Sequence, residues 1–94
     1  LDAAAATKTT NAAVDAGIRD LMMIHDSFGC HAAYASKLAR ILREQYLEVF
    51  SKDLLADLRQ EITGYLAPGT ELPELPDKGQ LKPEDLLLST YFFA

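Results

Sequence analysis

The chain has 94 residues, enough for one small domain or for a piece of a larger one. Hydrophobic residues make up 49% of it, enough for a packed core, and the net charge of −5 argues against a module that binds nucleic acid by charge alone. A single cysteine excludes an internal disulfide framework, and no apolar run approaches the roughly 20 residues of a membrane span, so no membrane partner is expected.

The first segment, residues 1–17, is predicted to be a helix because alanine dominates it and costs little side-chain entropy in a helix. Asp2 is expected to cap its amino end, and Gly17 is expected to take the left-handed conformation that ends many helices. Since the apolar face is mostly alanine, we expect this helix to lie close against another element.

The second segment, residues 18–32, is predicted to be a β-hairpin. Residues 18–24 form an apolar run that is too short for a helix, which favours a buried strand. Residues 25–29 have the composition of a turn, and residues 30–32 are expected to form a short returning strand. This arrangement puts Asp26 near the tip of the hairpin.

Two helices are predicted in residues 33–67, because apolar residues recur there at spacings of three and four. Ser51 is expected to cap the second helix, with Asp53 in its first turn. The predicted stripe of the first helix comprises Leu38, Ile41, Leu42, Tyr46, Val49 and Phe50. That of the second comprises Leu54, Leu58, Ile62, Tyr65 and Leu66.

The last part of the chain is predicted to be mostly irregular. All four prolines lie in residues 68–83, so this stretch is expected to form an extended strap. Residues 84–94 are predicted to hold a short helical turn, begun by Pro83, and an aromatic tail. The chain as a whole is therefore predicted to be an α+β protein, mainly helical with one β-hairpin.

The densest cluster of reactive side chains lies within seven positions and comprises His25, Asp26, Ser27, Cys30 and His31. A zinc site or a Cys–His nucleophile pair is disfavoured, because the adjacent Cys30 and His31 would point to opposite faces of a strand. Asp26 alone could instead bind a hard divalent ion such as Mg²⁺, which takes one or two carboxylates together with phosphate and water. The structural alternative, in which Asp26 and Ser27 only form a turn, is favoured by the spacing alone.

The aromatic tail also has two interpretations. Tyr91, Phe92 and Phe93 most simply anchor the end of the chain by burial. The alternative places them beside a nucleotide, where aromatic rings stack on bases. The tendency of aromatic side chains to be buried favours the anchor.

Three segments carry a further pattern, in chain order: His-Asp-Ser-Phe-Gly-Cys-His-Ala-Ala at residues 25–33, Leu-Pro-Asp-Lys-Gly-Gln-Leu at residues 75–81, and Thr-Tyr-Phe-Phe-Ala at residues 90–94. Together they are similar to the single-subunit, phage-type DNA-directed RNA polymerases. Residues 25–33, His-Asp-Ser-Phe-Gly-Cys-His-Ala-Ala, resemble motif C of that family, which has His-Asp-Ser-Phe/Tyr-Gly-Thr-His-Ala. Residues 75–81 resemble its Pro-x-x-Gly-x-(Leu/Phe) segment, and residues 90–94 resemble its aromatic ending with a small last residue. The likeness covers nearly the whole chain.

The resemblance implies that the chain is the C-terminal part of the palm of a right-hand polymerase, which adds NTPs to an RNA 3′ end on a DNA template. It implies that Asp26 binds the catalytic pair of Mg²⁺ ions, with a second carboxylate ligand outside this chain. The supporting positions in motif C are His25, Ser27 and Gly29. The tail positions close to the active site are Phe92, Phe93 and Ala94. Without its partner, the remainder of the polymerase chain, the piece is expected to be inactive.

The chain departs from the family pattern at two positions. Ala5 stands where the family has a histidine in the helix before motif C, and Cys30 replaces the usual threonine. A family A DNA polymerase is one alternative, but its motif C resembles His-Asp-Glu, so Ser27 favours RNA synthesis. A stand-alone, non-catalytic helical interaction module is the other. The resemblance favours the cytoplasm of a phage-infected cell over a mitochondrion.

Overall fold

A computed structural model describes residues 1–93 as a mainly helical chain with one antiparallel β-hairpin, which confirms the predicted α+β class. The elements in chain order are α1 (Asp2–Asp15), β1 (Leu21–Ile24), β2 (Ser27–Cys30), a 3₁₀ turn (Ala32–Tyr34), α2 (Ala35–Phe50), α3 (Leu54–Thr63) and a second 3₁₀ turn (Pro83–Leu87). They fall into two compact units. The first comprises residues 1–51 together with the segment from Lys82 onward, and the second comprises residues 52–81. None of the described helices is long and apolar enough to cross a membrane.

The helix α1 packs against α2 through a face made of small residues. Ala5, Thr9 and Ala13 lie four residues apart on that face and are buried. The prediction that Asp2 caps this helix is wrong. The carbonyl of Leu1 already accepts the amide of Ala5 at 2.9 Å, so Leu1 takes the cap position and Asp2 falls inside the first turn.

The carboxyl end of α1 is closed by Gly17, which has the predicted left-handed backbone with a φ of +89°. The amide of Gly17 donates to the carbonyl of Val14, and that of Ile18 donates to the carbonyl of Ala13, each at 2.9 Å. These two hydrogen bonds form a Schellman motif, which turns Ile18 into the core, where it is fully buried. The prediction that the strand begins at Ile18 is therefore wrong, and β1 begins at Leu21.

The core of the first unit lies where α1, α2 and the hairpin meet. From the stripe predicted on α2, the buried residues are Leu38, Ile41, Leu42 and Val49. Phe50, at the end of that stripe, is 47% exposed. Two lysines fasten α1 to α2: Lys8 forms an ion pair with Glu48, and Lys37 Nζ donates to the carbonyl oxygen of Ala16 at 2.5 Å.

In the second unit, α3 is capped by Asp53 and not by the predicted Ser51. Asp53 Oδ1 accepts the amide of Ala56 at 3.1 Å, as the side chain of an N-cap residue does. Because the helix begins only at Leu54, Ser51 is too early in the chain for this role, and it instead ends α2.

The prediction that α3 continues to residue 67, with Tyr65 and Leu66 in its stripe, is wrong. It ends at Thr63, because the amides of Gly64 and Tyr65 donate to carbonyls three residues back and not four. Residues 64–82, which lie within the described chain, contain neither helix nor strand.

Two side chains hold this irregular strap to the start of the second unit. Lys78 Nζ forms an ion pair with Asp53 Oδ2 at 2.5 Å. Arg59, on α3, donates to the carbonyl oxygens of Leu72 and Pro73 at 3.3 and 2.5 Å. The second unit thus consists of a short helix and an irregular segment that is held to it by these side-chain contacts.

Candidate active site

Asp26 lies in the two-residue turn of the hairpin. The strands pair with Ile24 opposite Ser27, so only His25 and Asp26 remain between them. The turn is tighter than predicted, because residues 27–29 continue the ladder as part of β2. His25 has a φ of +55°, and a two-residue hairpin turn needs a positive φ at its first position.

One face of the hairpin rests on the core of the first unit. Leu21, Phe28 and Cys30 alternate along the strands and are half-buried against the core cluster. Met22 and Ile24, on the other face, are 63% and 59% exposed. One face of the hairpin is therefore packed on the core, while the turn at its tip is exposed to solvent.

The three residues predicted to support Asp26 lie in the same hairpin. His25 precedes it in the turn, and Ser27 follows it as the first residue of β2. Gly29 lies opposite Met22, and a Cβ added there would be 3.3 Å from Met22 Cε. Glycine therefore lets the Met22 side chain cross the returning strand.

The Asp26 carboxylate is exposed and offers oxygen ligands to a hard cation. Within residues 1–93, no group of three or more His, Cys, Asp or Glu side chains is arranged to hold a metal ion. Asp26 therefore contributes one carboxylate, and other ligands must complete any Mg²⁺ site. Burial raises the pKa of Tyr46 above its ordinary value, and the charges of Asp2 and Asp26 raise it further.

The other two reactive side chains of the cluster serve separate contacts. The Cys30 thiol donates to the carbonyl oxygen of His31 at 3.3 Å, and its side chain faces the core. His31 lies outside the sheet, with Nε2 at 3.4 Å from Asp20 Oδ2. The predicted returning strand over residues 30–32 is wrong, because β2 ends at Cys30 and Ala32 begins a 3₁₀ turn.

The aromatic tail lies against α2 and the hairpin. The Phe93 ring is 6.1 Å from that of Phe28 on β2, with the two planes at 75°. The Phe92 and Phe93 rings are 5.3 and 5.4 Å from that of Tyr46. Of the predicted tail positions, Ala94 lies outside the described residues.

Arg43 and Tyr46 of α2 are contact residues of the tail that the sequence analysis did not assign to the site. Arg43 donates to the carbonyl oxygen of Ser89 at 3.0 Å, and its guanidinium carbon is 5.8 Å from the centre of the Phe92 ring. The available signal was Tyr46 itself, because it is the one residue of the predicted stripe that carries a polar group.

Comparison with known proteins identifies the family. The family model described as "DNA-dependent RNA polymerase" matches residues 1–70. DNA-directed RNA polymerase 3, chloroplastic, of Nicotiana sylvestris is 36% identical over 93 residues, which is 99% of this chain and 9% of that protein. DNA-directed RNA polymerase 2, chloroplastic/mitochondrial, of Arabidopsis thaliana is 39% identical over 70 residues, 74% of this chain and 7% of that protein. No solved structure matches the chain.

The match includes the hairpin that carries Asp26, and the first of these relatives aligns over almost the whole chain. The chain spans less than a tenth of the length of either relative. Together these findings confirm the resemblance drawn from the sequence, and the chain belongs to the phage-type, single-subunit family of DNA-dependent RNA polymerases.

Proposed function

We propose that this chain is part of a polymerase that adds NTPs to the 3′ end of an RNA on a DNA template, and that it supplies one carboxylate of the active site. The observation that carries the proposal is the position of Asp26 at the exposed tip of a hairpin, within a chain that belongs to the RNA polymerase family. The hairpin would be the motif C hairpin of the palm.

The local architecture suits a metal-binding carboxylate. Nucleotidyl transfer needs carboxylates held on well-positioned backbone, because small errors in placement reduce the rate strongly. The two-residue turn restricts the backbone on both sides of Asp26. The half-buried face of the hairpin packs both strands against the core. An exposed carboxylate on such a support can meet ligands that arrive from outside the chain.

The Asp26 carboxylate suits a Mg²⁺ site as one of its ligands. Mg²⁺ is held by one or two carboxylates together with substrate phosphate oxygens and water, and Asp26 provides one such group. We propose that a second carboxylate comes from outside this chain and that the two bind a pair of Mg²⁺ ions. When bound, such ions stabilise the charge on the attacking and leaving oxygens of the reaction.

The neighbouring residues have supporting roles in this proposal. His25 and Ser27 bracket Asp26 and would fix the turn and contact the RNA 3′ end. Gly29 would keep the returning strand close to Met22. The tail residues Phe92 and Phe93, with Ala94 after them, would lie close to the active site, as the contact between Phe93 and Phe28 supports.

The test replaces Asp26 with Asn in the full-length polymerase. Loss of the carboxylate charge is expected to reduce nucleotide addition by at least about 10²-fold, while DNA binding stays close to that of the wild type. Asp20→Asn is the matched control, because it removes an exposed carboxylate from the base of the same hairpin. Nucleotide addition retained by Asp26→Asn, or lost equally in both variants, would contradict the assignment.

Two alternatives are separated by the same assay. A family A DNA polymerase would extend with dNTPs in place of NTPs, and a non-catalytic helical module would extend with neither. The relatives belong by name to chloroplasts and mitochondria. Organellar transcription therefore stands beside the cytoplasm of a phage-infected cell as a compartment for the proposed activity.

A further inference from the structure

Two rings of the tail, those of Phe92 and Phe93, form an edge-to-face cluster with Tyr46. Tyr46 meets Phe92 at 5.3 Å and 80°, and it meets Phe93 at 5.4 Å and 75°. The two tail rings contact each other at 5.1 Å and 74°. Aromatic pairs favour this edge-on geometry. The Tyr46 ring therefore makes specific contacts with Phe92 and Phe93 and does not merely present an apolar surface to them.

The same cluster reaches the hairpin. Phe93 contacts Phe28, which lies on β2 two residues after Asp26 and pairs with Met23 across the ladder. The Phe28 side chain is half-buried on the core-facing side of the hairpin. Phe93 therefore contacts both α2 and β2, the strand that leads directly out of the turn.

A second contact from α2 fixes the path of the tail. Arg43 lies one helical turn before Tyr46, and residues three apart are neighbours on a helix surface. Its guanidinium group donates to the carbonyl oxygen of Ser89 at 3.0 Å and lies 5.8 Å from the centre of the Phe92 ring. The tail is thus held by a hydrogen bond and by ring contacts on one side of α2.

The phenol of Tyr46 is held in its protonated form. Its pKa is raised by burial first, and then by the negative charges of Asp2 and Asp26. The phenol therefore stays neutral at the pH of any ordinary assay.

We propose that Tyr46 is a positioning residue for nucleotide addition: its ring seats the C-terminal aromatic tail against β2 and thereby fixes the hairpin that presents Asp26. The inference rests on the proposed function of Asp26. The proposal gives α2 an influence on the rate of nucleotide addition. In this proposal Tyr46 contacts neither the nucleotide nor the metal. The contacts of Tyr46 with both tail rings, and of Phe93 with Phe28, carry the proposal.

The test compares three variants of the full-length polymerase. Tyr46→Leu removes the ring, and its kcat for NTP addition is expected to fall about tenfold while KM for NTP stays within about twofold, because positioning and not binding is lost. Tyr46→Phe keeps the ring and is expected to retain the wild-type kcat. Phe50→Leu is the matched control, since Phe50 contacts Tyr46 at 5.8 Å but contacts no tail ring among the described residues.

Chymotrypsin provides a readout that does not depend on catalysis, because it cuts after the aromatic residues of the tail. Tyr46→Leu is expected to lose its C-terminal residues faster than the wild type, Tyr46→Phe or Phe50→Leu, as followed by mass spectrometry. An unchanged kcat in Tyr46→Leu, an equal loss in Phe50→Leu, a failure of Tyr46→Phe to preserve the rate, or an equally protected tail would each overturn the proposal. If Asp26→Asn is inactive and Tyr46→Leu is normal, only this inference fails. If Asp26→Asn remains active, the proposed function fails.

Discussion

At the tip of the hairpin, His25 holds a backbone conformation that most side chains avoid. Its φ of +55° lies in the left-handed region, which Asn tolerates and β-branched residues resist. The strain persists because pairing of Ile24 with Ser27 leaves only two residues to reverse the chain. Strain of this kind often marks a functional turn, which agrees with the role proposed for Asp26.

We predict that His25→Val weakens the hairpin, whereas His25→Asn leaves it intact. The β-branched side chain should cost about 1–2 kcal/mol at a positive φ, and Asn should cost little. Since His25 is exposed, neither change removes core packing. Hydrogen–deuterium exchange of the β1 and β2 amides in the full-length polymerase should be about tenfold faster in His25→Val. Equal exchange in the two variants would show that the turn carries no strain.

The sequence could suggest Asp26 but not Tyr46 as a residue of the proposed site. Asp26 lies in a contiguous pattern, His-Asp-Ser-Phe-Gly, whose turn chemistry and family resemblance are both local. The role proposed for Tyr46 depends on its contacts with Phe92 and Phe93, more than forty positions later in the chain. Helical periodicity reports that a residue faces inward, but it does not report which distant segment it meets.

At the scale of elements, the sequence predicted the kinds of element better than their boundaries. Gly17 was expected to end α1, and it does. The amide of Ile18 also donates to a carbonyl of the last helical turn, so β1 begins only at Leu21. At the next boundary, both Ser51 and Asp53 are good cap residues. Only the hydrogen bond from Ala56 to Asp53 shows where the helix begins. Such choices depend on backbone geometry that composition does not contain.

The cap of α3 leads to a prediction about pH. The hydrogen bond from Lys78, and then that from the Ala56 amide, hold the pKa of Asp53 below its ordinary value of 3.8. A carboxyl group with a lowered folded pKa stabilises the fold above its unfolded pKa, and this contribution is lost as the pH falls through the folded value. Above pH 3.8, Lys78→Met should therefore speed hydrogen exchange of the α3 amides relative to the wild type.

The difference between Lys78→Met and the wild type should disappear as the pH falls through the folded pKa, because Asp53 is then protonated in both proteins. Comparison at each pH cancels the intrinsic pH dependence of exchange. Lys82→Met is the control, since it removes a lysine from the far end of the strap, outside the second unit. A difference that persists at acid pH would show that Lys78 acts by something other than its pairing with Asp53.

For the whole molecule, the main feature is that exposed large apolar side chains outnumber the buried apolar residues within the described chain. Two members of the stripe predicted for the second helix are examples: Leu58 and Ile62, on α3, are 50% and 38% exposed. The periodicity correctly groups these residues on one helix face, but it cannot name what covers them. Because the relatives are more than ten times longer, we expect the remainder of a polymerase to cover this face.

This expectation predicts how the isolated 94-residue chain behaves. A small core and exposed apolar faces should make it bind the apolar dye ANS and unfold without a sharp cooperative transition. Leu58→Lys with Ile62→Lys should reduce dye binding and leave the helical circular dichroism largely unchanged, because both side chains are exposed on α3. A stand-alone interaction module would instead unfold cooperatively without binding the dye. That result would favour the helical module over a detached part of a polymerase, since a self-sufficient fold needs no remainder of the chain to complete its core.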